Sequence, residues 1–486
     1  MKQQRPYPIL TVSKKAERSI QNGHPWVYDA EIRQVIGTLS NGCLVDVLSD
    51  SANQDPRQKQ SEDKSFVNSS GSTKNETQHQ KMGKYLGTGF YSEHSKIRIR
   101  LISRNANDKF DAAFWARRIR YAWEYRKTVM GADIDCCRII YGEADQFPGL
   151  TVDRFHDILV TQTLSYGMEL LKPVIFPLLY QTLTDDGQII RGIYERNDVS
   201  IRELEGLRQY KGWYSLDLAD KTMNEHANPF PTSKTMNEYA NPFPKSKDTD
   251  GHNDTQKDQG EEGQRPAALS CLTEITENGI IYQVDVENGQ KTGFFLDQKY
   301  NRQAVARLAA GKHVLDCFTH TGSFALNAAK GGAASVCAVD ISQTAIDMAR
   351  RNAERNGLAD RMTFRVANVF DLLPQLEHSH EEKYDFIILD PPAFTKSRRT
   401  VDSAKKGYKE INLRAMKILP RGGYLATCSC SHFMPDELFI KMLHSAAADA
   451  GVQLRQIEAR QQAPDHPILW NVPETDYLKF YLFQVI

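Results

Sequence analysis

Residues 313–340 have the sequence HVLDCFTHTGSFALNAAKGGAASVCAVD, and they carry the pattern that decides the fold. A strand-like run, HVLDCF, leads through a glycine turn into a predicted helix over 322–330, and a second run, SVCAVD, follows it. The alternation continues with helices predicted over 342–356 and 403–417 and with the strand-like runs MTFRVAN, YDFIILD and GYLATCSC. Strands that alternate with helices form a parallel, doubly wound sheet. We therefore predict an α/β domain.

The N-terminal part of the chain has a different pattern. The segments GHPWVYDAEI and GCLVDVLSD alternate apolar and polar residues, and YLGTGFYSEHSKIRIRLIS resumes this alternation after a polar insert at about 51–83. A period of two is typical of half-buried strands, whereas the insert is too polar to bury a core. We predict that residues 1–104 form a small β-barrel interrupted by a disordered loop.

The middle of the chain combines both kinds of element. Helical spacing of apolar residues predicts helices at 110–130 and near 167–183, and a hairpin and the run RGIYERN supply strands, so 105–216 is predicted to be an α+β domain. The segment 217–265 contains a 13-residue duplication, KTMNEHANPFPTS followed by KTMNEYANPFPKS. Two copies are too few to stack into a repeat fold. We interpret this segment as a disordered insert and 266–486 as the last domain.

Charge and cysteine content limit the class of protein. The chain holds 61 Lys and Arg against 61 Asp and Glu, so bulk charge does not make it a nucleic-acid coat, but 96–127 carries ten basic residues against three acidic ones. The eight cysteines are too sparse for a disulfide scaffold, and neither cysteine cluster has metal-ligand spacing, so we predict reduced thiols and no metal. Without a signal peptide or an apolar run of about 20 residues, a cytoplasmic location away from membranes is expected.

The ends of the first three strands carry candidate cofactor-binding residues. Phe318 and Thr319 lead to Gly322, where the backbone can approach a ligand closely and the helix N-terminus offers N–H groups to a carboxylate. A purely structural connection between the strand and the helix is the alternative interpretation of this turn. Asp340 ends the second strand, where an acidic side chain can accept hydrogen bonds from ribose hydroxyls, as it would in a dinucleotide site. Asn368 ends the third strand and suits an adenine edge, with a plain helix-start role as the alternative.

The fourth strand ends in the sequence LDPPAF, which is the most specific signal in the chain. It resembles the fourth motif of class I methyltransferases that act on nucleic-acid bases. Pro391 and Pro392 fix a rigid backbone beside an acceptor, and Phe394 offers a face on which an extruded base can stack. An ordinary rigid loop is the alternative interpretation.

The fifth strand brings Cys428 and Cys430 to the same edge of the sheet, where ligands bind in open α/β folds. C5 of a pyrimidine becomes nucleophilic only after a thiolate adds to C6, whereas amino-group methylation needs no thiol. The two cysteines share one face of the extended backbone, and we expect Cys430 to protrude further and to act as the nucleophile. Asp390 is then placed to hold the cytosine N3/N4 edge. Two small buried residues that finish a strand are the alternative.

Four segments in this order, GQKTGFFLDQKYNR, DCFTHTGSFAL, LDPPAFTKS and TCSCSHFM, make the chain similar to the bacterial 23S rRNA cytosine-C5 methyltransferase I family. The segments GHPWVY and RNDVSIRELEGL extend the resemblance over almost the whole chain. It implies a PUA-type β-barrel, a central α+β domain and a Rossmann-like class I methyltransferase domain. It also implies that an S-adenosylmethionine pocket is formed by Phe295, Gln298, Arg302, Phe318, Thr319, Gly322, Asp340, Ile341, Asn368, Val369 and Asp390.

The resemblance further implies methyl transfer to C5 of a cytosine in 23S rRNA, free or in a large-subunit precursor, and it is compatible with a homodimer. PUA domains bind structured RNA, and the basic run 96–127 would extend that surface towards the cleft. Two other functions stay open: an amino-group methyltransferase of guanine N2 or adenine N6 in rRNA, and a non-catalytic RNA-binding ribosome-assembly factor. A dehydrogenase is disfavoured because no full Gly-x-Gly-x-x-Gly turn occurs.

Overall fold

The computed structural model describes residues 5–50, 83–216, 269–379, 381–395 and 397–486. The two predicted disordered segments, at about 51–83 and 217–265, lie outside the described residues except for Gly83. Within the described ranges, no helix combines the length and the apolar character that crossing a membrane requires.

The N-terminal residues form one six-stranded sheet. Its strands are β1 (Ile9–Val12), β2 (Trp26–Tyr28), β3 (Ile32–Ile36), β4 (Leu44–Ser49), β5 (Tyr85–Tyr91) and β6 (Ile97–Ser103), with helix α1 (Lys14–Gln21) after β1. The spatial order is β2-β6-β5-β4-β1-β3. A single 3-10 turn, Asp29–Glu31, joins the two outermost strands, so the two edges of the sheet lie close together. The sheet must therefore curve, as the predicted barrel requires.

The central part packs two long helices on a five-stranded sheet. Helix α2 (Ala112–Met130) and helix α3 (Tyr166–Asp185) confirm the two predicted helices. The strands are β7 (Cys136–Tyr141), β8 (Leu150–Phe155), β9 (Ile158–Thr163), β10 (Gly192–Arg196) and β11 (Lys211–Trp213), in the order β11-β10-β9-β8-β7. Buried residues of both helices and of the sheet form one apolar core.

The C-terminal part begins with a hairpin of β12 (Leu272–Glu277) and β13 (Ile280–Asp285). The remaining strands are β14 (His313–Cys317), β15 (Ser335–Asp340), β16 (Met362–Val366), β17 (Phe386–Leu389), β18 (Tyr424–Ser429), β19 (Leu454–Arg460) and β20 (Lys479–Val485). The helices are α4 (Lys299–Leu308), α5 (Ser323–Lys330), α6 (Gln343–Arg355), α7 (Val369–Ser379), α8 (Val401–Ile418) and α9 (Asp436–Ala450).

The seven-stranded sheet has the order β16-β15-β14-β17-β18-β20-β19, in which β20 runs in the direction opposite to the other six strands. The predicted parallel, doubly wound arrangement is therefore confirmed for β14 to β18. Strand order reverses between β14 and β17, because β15 and β16 lie on one side of β14 and the later strands on the other. Ligands of such sheets bind at the carboxyl ends of the strands beside this reversal.

The central and C-terminal sheets share a hydrophobic core. Phe155 and Val160 of the central sheet belong to the same buried cluster as Tyr282 of the hairpin and Val305 of α4. A second cluster covers the opposite face of the seven-stranded sheet under α7, α8 and α9. The shared core fixes the central part against the edge of the sheet where the candidate site lies.

Candidate active site

The loop after β14 has a backbone that is strained next to the strand-order reversal. Phe318 and His320 adopt φ angles of 64° and 52°, which side-chain-bearing residues rarely adopt, and Gly322 has a φ of 84°. A Cβ at Gly322 would lie 2.9 Å from the Cβ of Ala349, so close helix packing as well as the φ angle requires glycine. Strain of this kind concentrates at ligand-binding loops.

Asp316, at the end of β14, is a site residue that the sequence interpretation missed. Its Oδ2 accepts hydrogen bonds from the Thr319 hydroxyl at 2.6 Å and from the Ala325 amide at 2.9 Å. Its Oδ1 is buried and has no hydrogen-bond partner among the described residues. Burial raises the pKa of Asp316 to about 7. The orphaned oxygen is an acceptor that suits a cationic donor of a ligand.

Asp340 is held by the backbone at the end of β15. Its Oδ2 accepts from the His320 amide and its Oδ1 from the Ser342 amide, each at 2.9 Å. Each carboxylate oxygen keeps a second lone pair for a ribose hydroxyl. The neighbouring Ile341 is 73% exposed, so it offers an apolar surface beside the carboxylate.

Asn368 and Val369 are placed differently from each other. The Asn368 amide group donates to Asp371 at 2.9 Å and accepts from the Phe370 amide at 3.1 Å, which is the geometry of a helix-start residue for α7. The Val369 side chain is buried in the core beneath α7. Direct contact of Val369 with a cofactor is thus limited to its backbone.

The segment before α4 closes the cleft from the other side. Gln298 donates to Asp390 Oδ1 at 3.0 Å, and the ring of Phe295 packs edge-on against His320 with centroids 5.1 Å apart. Arg302 is fully buried and donates to Glu277 and to the carbonyl of Phe295, each at 2.6 Å. Arg302 therefore positions Phe295 rather than lining the cleft itself.

The LDPPAF segment leads from β17 across the cleft. Pro391 is buried and Pro392 exposed. Phe394 packs against Tyr408, with centroids 4.6 Å apart, and lies 6.5 Å from the ring of Phe318. The ring predicted to stack on a base thus belongs to an aromatic cluster that also borders the cofactor loop.

The two cysteines differ in exposure and bonding. Cys428 is fully buried, and burial raises the pKa of its thiol well above the usual value. The thiol also donates a hydrogen bond to Asp390. Cys430 is part-exposed, with its Sγ 3.9 Å from the carbonyl oxygen of Pro391. Burial raises the pKa of Cys430 to about 11, and the cation of Lys291 opposes this shift. Of the two thiols, Cys430 is the one that a substrate can reach.

Lys291 is a second residue that the sequence interpretation missed. Its Nζ lies 4.3 Å from the centroid of the Phe295 ring and 3.9 Å from Asp297 Oδ2, and its φ angle is 51°. It also opposes the burial-driven rise in the pKa of Asp390, which stands at about 6. Lys291 therefore places a positive charge close to both Cys430 and Asp390.

The basic run 96–127 does not form one continuous surface. Arg98 bonds to Asp29, Arg100 to Glu205, Arg126 to Asp145 and Lys127 to Asp186. The exposed basic residues of the run are Lys96, Arg104, Lys109, Arg117 and Arg120. Of the ten basic residues in the predicted phosphate-binding run, these five are the exposed ones, so the predicted surface is smaller than the run.

Comparisons with known families and structures agree with this geometry. Residues 266–484 match the family described as S-adenosylmethionine-dependent methyltransferase, and residues 10–54 and 77–104 match the PUA-like domain family. A structure assigned as a SAM-dependent methyltransferase from Streptococcus mutans covers 98% of this chain and 99% of its own, with a TM-score of 0.68 and 20% identity. Another structure, assigned as a methyltransferase and complexed with SAH, covers 98% of this chain and 99% of its own, with a TM-score of 0.69 and 19% identity. These likenesses show the fold.

The cleft residues fit S-adenosylmethionine. Asp316 Oδ1 is an unpartnered acceptor for the ammonium group of its methionine part, and Asp340 has free lone pairs for ribose hydroxyls. The exposed side chain of Ile341 offers an apolar contact to adenine. The cofactor predicted from the sequence is therefore the one that the family match and the donor set support.

Curated relatives identify the family. Ribosomal RNA large subunit methyltransferase I of Klebsiella pneumoniae (strain 342) is 33% identical over 482 residues, with 99% of both chains covered. The protein of the same name from Salmonella enteritidis is 34% identical and covers 99% of this chain and 98% of its own. With a PUA-like domain, a class I methyltransferase sheet and full-length relatives of one name, this chain belongs to the ribosomal RNA large subunit methyltransferase I family.

Proposed function

We propose that this protein transfers a methyl group from S-adenosylmethionine to C5 of a cytosine in 23S rRNA. The relatives are named for the RNA of the large ribosomal subunit, which makes that RNA, free or in a subunit precursor, the proposed substrate. The observation that carries the C5 assignment is Cys430, a part-exposed thiol beside the Asp390-Pro391 segment.

The proposed chemistry begins with the thiolate of Cys430. It forms a bond to C6 of the cytosine, and the electron pair of the C5–C6 double bond moves towards C5 and the N3 edge. Bound S-adenosylmethionine supplies an electrophilic methyl group at its sulfonium centre. C5 forms its new bond to the methyl group as the methyl–sulfur bond breaks, which leaves S-adenosylhomocysteine. Solvent water then takes the C5 proton, the C5–H electron pair restores the C5–C6 double bond as the C6–S bond breaks, and the thiolate returns while N3 gives its proton back to Asp390.

Asp390 supports this chemistry at the N3 edge of the base. Its pKa is raised to about 6, chiefly by burial, so a protonated form is accessible near neutral pH. A carboxyl group with such a pKa can donate a proton to N3 while the thiolate adds to C6. Gln298 and the Cys428 thiol hold the Asp390 carboxylate by hydrogen bonds, so we assign Cys428 a positioning role.

Deprotonation of Cys430 must be assisted by other groups, because a thiol with a pKa of about 11 is rarely in the thiolate form at neutral pH. The charge of Lys291 lowers the pKa of Cys430. When the thiol proton moves to Asp390 and on to N3 of the base, the total number of protons in the site stays the same. The thiolate would therefore form when the base is bound rather than in the free enzyme.

An amino-group methyltransferase of guanine N2 or adenine N6 is the second candidate. The segment Asp390 to Phe394 would also suit an exocyclic nitrogen, which needs a carboxylate or carbonyl acceptor but no thiol. Cys430 would then be a bystander. The two proposals differ in the methylated atom and in the effect of removing one sulfur atom.

The deciding experiment is mass spectrometry of nucleosides from deproteinised 23S rRNA after incubation with isotope-labelled S-adenosylmethionine and either wild-type protein or Cys430→Ala. We expect labelled 5-methylcytidine with the wild type and none with the variant. A label on a guanine or adenine amino group that persists in Cys430→Ala would replace the C5 proposal with the amino-group one. No label on RNA, despite cofactor binding, would favour the non-catalytic assembly factor.

The proposed partner is RNA, and self-association into a homodimer stays a prediction. Sedimentation velocity of the full chain with and without 23S rRNA would test it. A single species at the mass of one 55.2 kDa chain would contradict the dimer.

A further inference from the structure

A cavity of about 300 Å³ lies beside helix α2, outside the catalytic cleft. Arg117, Arg118 and Tyr121 line it from the helix, and Gln146 closes it from the turn after β7. Its volume is at the lower end of the range of small-molecule sites. The cavity is therefore large enough for one unstacked base or its phosphate group, but not for a folded partner.

Arg118 gives this cavity an unusual charge. The side chain is 9% exposed, and its guanidinium donates to the carbonyls of Gln146 and Ile102 rather than to a carboxylate. Burial lowers its pKa to about 10. Both of these hydrogen bonds of the buried cation go to neutral acceptors, and the charge of Asp108 offsets only part of its desolvation cost, which a bound anion would reduce further.

The other charges around the cavity do not cancel this cation. Asp145 lines the cavity but is bound to Arg126 through two hydrogen bonds of 2.5 and 2.7 Å. Asp108 accepts from Ser103 and Asn105 at 2.5 and 3.1 Å. Arg117 forms no ion pair among the described residues, its guanidinium lying 5.5 Å from the ring centroid of Phe114. The guanidinium groups of Arg117 and Arg118 thus share the cavity with one carboxylate, Asp108, that forms no ion pair among the described residues.

Tyr121 adds a stacking surface one helical turn from Arg117. It is 65% exposed, although an aromatic ring gains by burial, and Arg120 next to it is exposed too. Exposed aromatic rings beside arginines are the means by which proteins hold unpaired bases of RNA and their phosphates. Charge and shape together favour a nucleotide as the occupant.

Helix α2, which lines the cavity, is bonded to both of the domains that flank it. Arg118 bonds to Ile102 in β6 of the PUA-like sheet, and the Tyr125 hydroxyl donates to Pro464 of the methyltransferase domain at 3.0 Å. RNA held by the PUA-like sheet and reaching the cleft would pass helix α2.

We propose that this cavity binds one unpaired nucleotide of the substrate RNA, with Arg117 and Arg118 contacting its phosphate and Tyr121 stacking on its base. The inference rests on the proposed function in that RNA is taken as the substrate. It does not depend on which atom of which base is methylated.

The test measures equilibrium binding of the full-length protein to a 23S rRNA transcript, without cofactor, over a series of salt concentrations. Tyr121→Ala should weaken binding about fivefold to a hundredfold, while Tyr121→Phe keeps the ring and binds like the wild type. Arg117→Ala should weaken binding and also reduce the slope of log affinity against log salt by about 0.7, the value of one single-strand phosphate contact. Arg351→Ala, an exposed arginine on α6, is the matched control and should change neither quantity.

Unchanged affinity and salt slope in both Tyr121→Ala and Arg117→Ala would overturn the site. Equal losses in Arg351→Ala would overturn it as well, because the effect would then be one of net charge. Thermal unfolding of each variant separates lost contacts from misfolding. A wild type that binds rRNA tightly but forms no 5-methylcytidine would refute the proposed C5 chemistry, while the variants' affinities still decide this site.

Discussion

Two buried polar regions of this protein differ in the partners of their carboxylates, which are cations in one region and neutral groups in the other. In the central ion-pair cluster, defined as Arg126, Asp145, Arg138 and Asp153, each carboxylate bonds to a guanidinium. Arg138 bonds to Asp153 through two contacts of 2.6 and 2.8 Å. In the catalytic cleft, Asp316 and Asp390 are bonded only to neutral groups, and one Asp316 oxygen has no partner among the described residues.

The difference separates architecture from function. The central ion-pair cluster joins α2, the central sheet and the segment at Asp465, where the carboxylate accepts from the Arg138 amide at 2.8 Å. It also holds the Thr292 hydroxyl against Asp153 at 2.6 Å, next to Lys291 at the mouth of the cleft. The ion-paired groups hold the site in place, whereas Oδ1 of Asp316 in the cleft has no partner among the described residues and can accept a hydrogen bond from a ligand.

The largest expected effect tests the cleft through its two cysteines. Cys430→Ala should lower the single-turnover rate of methyl transfer by about 10,000-fold or more, as loss of a nucleophile does. Cys428→Ala removes only a hydrogen bond to Asp390 and should cost less than about tenfold, because the nucleophile stays. Equal losses in the two variants would contradict the division of roles.

The next effect tests the central ion-pair cluster. Asp153→Ala leaves the buried Arg138 without its partner and should lower the free energy of unfolding by about 3–5 kcal/mol. Urea unfolding monitored by far-UV circular dichroism measures it. Asp316→Asn is the matched change in the cleft and should not lower stability, because it removes a charge that lacks a cation and keeps an oxygen acceptor. A destabilisation by Asp316→Asn as large as that of Asp153→Ala would break the comparison.

Asp316→Asn should instead weaken cofactor binding. Loss of one charged hydrogen bond to the ammonium group corresponds to about 1.5–3 kcal/mol, or about tenfold to a hundredfold in Kd. Isothermal titration of S-adenosylmethionine into each protein measures it, with S-adenosylhomocysteine, which carries the same ammonium group, as a second probe. Unchanged affinities for both ligands would remove Asp316 from the site.

The pH dependence tests how Asp390 and Cys430 share a proton. The active state carries one proton on the pair, and it predominates between the Asp390 pKa of about 6 and the Cys430 pKa of about 11. As the pH falls below about 6, Asp390 becomes protonated while Cys430 keeps its own proton, so the pair carries two protons and is inactive. The single-turnover rate should therefore fall by about tenfold per pH unit. A rate that stays constant down to pH 5 would contradict the assignment.

The smallest effect concerns Lys127, whose charge is exposed but already paired with Glu124 and Asp186. Lys127→Ala should change the free energy of unfolding by about 0–1 kcal/mol, the usual range for surface pairs, and should leave rRNA affinity unaltered. A loss of affinity equal to that of Arg117→Ala would show that the paired residues of 96–127 contact RNA after all.

Sequence patterns predicted those parts of the molecule that local spacing controls. Alternation of strands and helices predicted the parallel arrangement of β14 to β18 but not their spatial order, and the position of Cys430 beyond Cys428 predicted its greater exposure. Asp316 escaped notice because a carboxylate at a strand end looks ordinary until Thr319 and Ala325 are seen to bind only one of its oxygens.

Contacts between distant segments were not predictable in the same way. Lys291 precedes the parallel sheet in the chain, and only the folding of its loop brings its charge to Cys430. Arg302 looked like a cleft residue by resemblance, but its partner Glu277 lies in the hairpin strand β12 and draws the side chain inward. Charge counts over 96–127 likewise ignored the acids that other segments supply to those arginines.

The pairing of β4 with β5 has a practical consequence for how this gene can change. The amide of Ser49 donates to the carbonyl of Lys84, and the amide of Lys84 donates to the Ser49 hydroxyl, each at 2.8 Å. The chain thus leaves the sheet and returns to it at one fastened point. Because the register of β4 and β5 is set at this junction, we expect that an affinity tag or fluorophore-binding peptide inserted between Ser49 and Lys84 leaves that register unchanged.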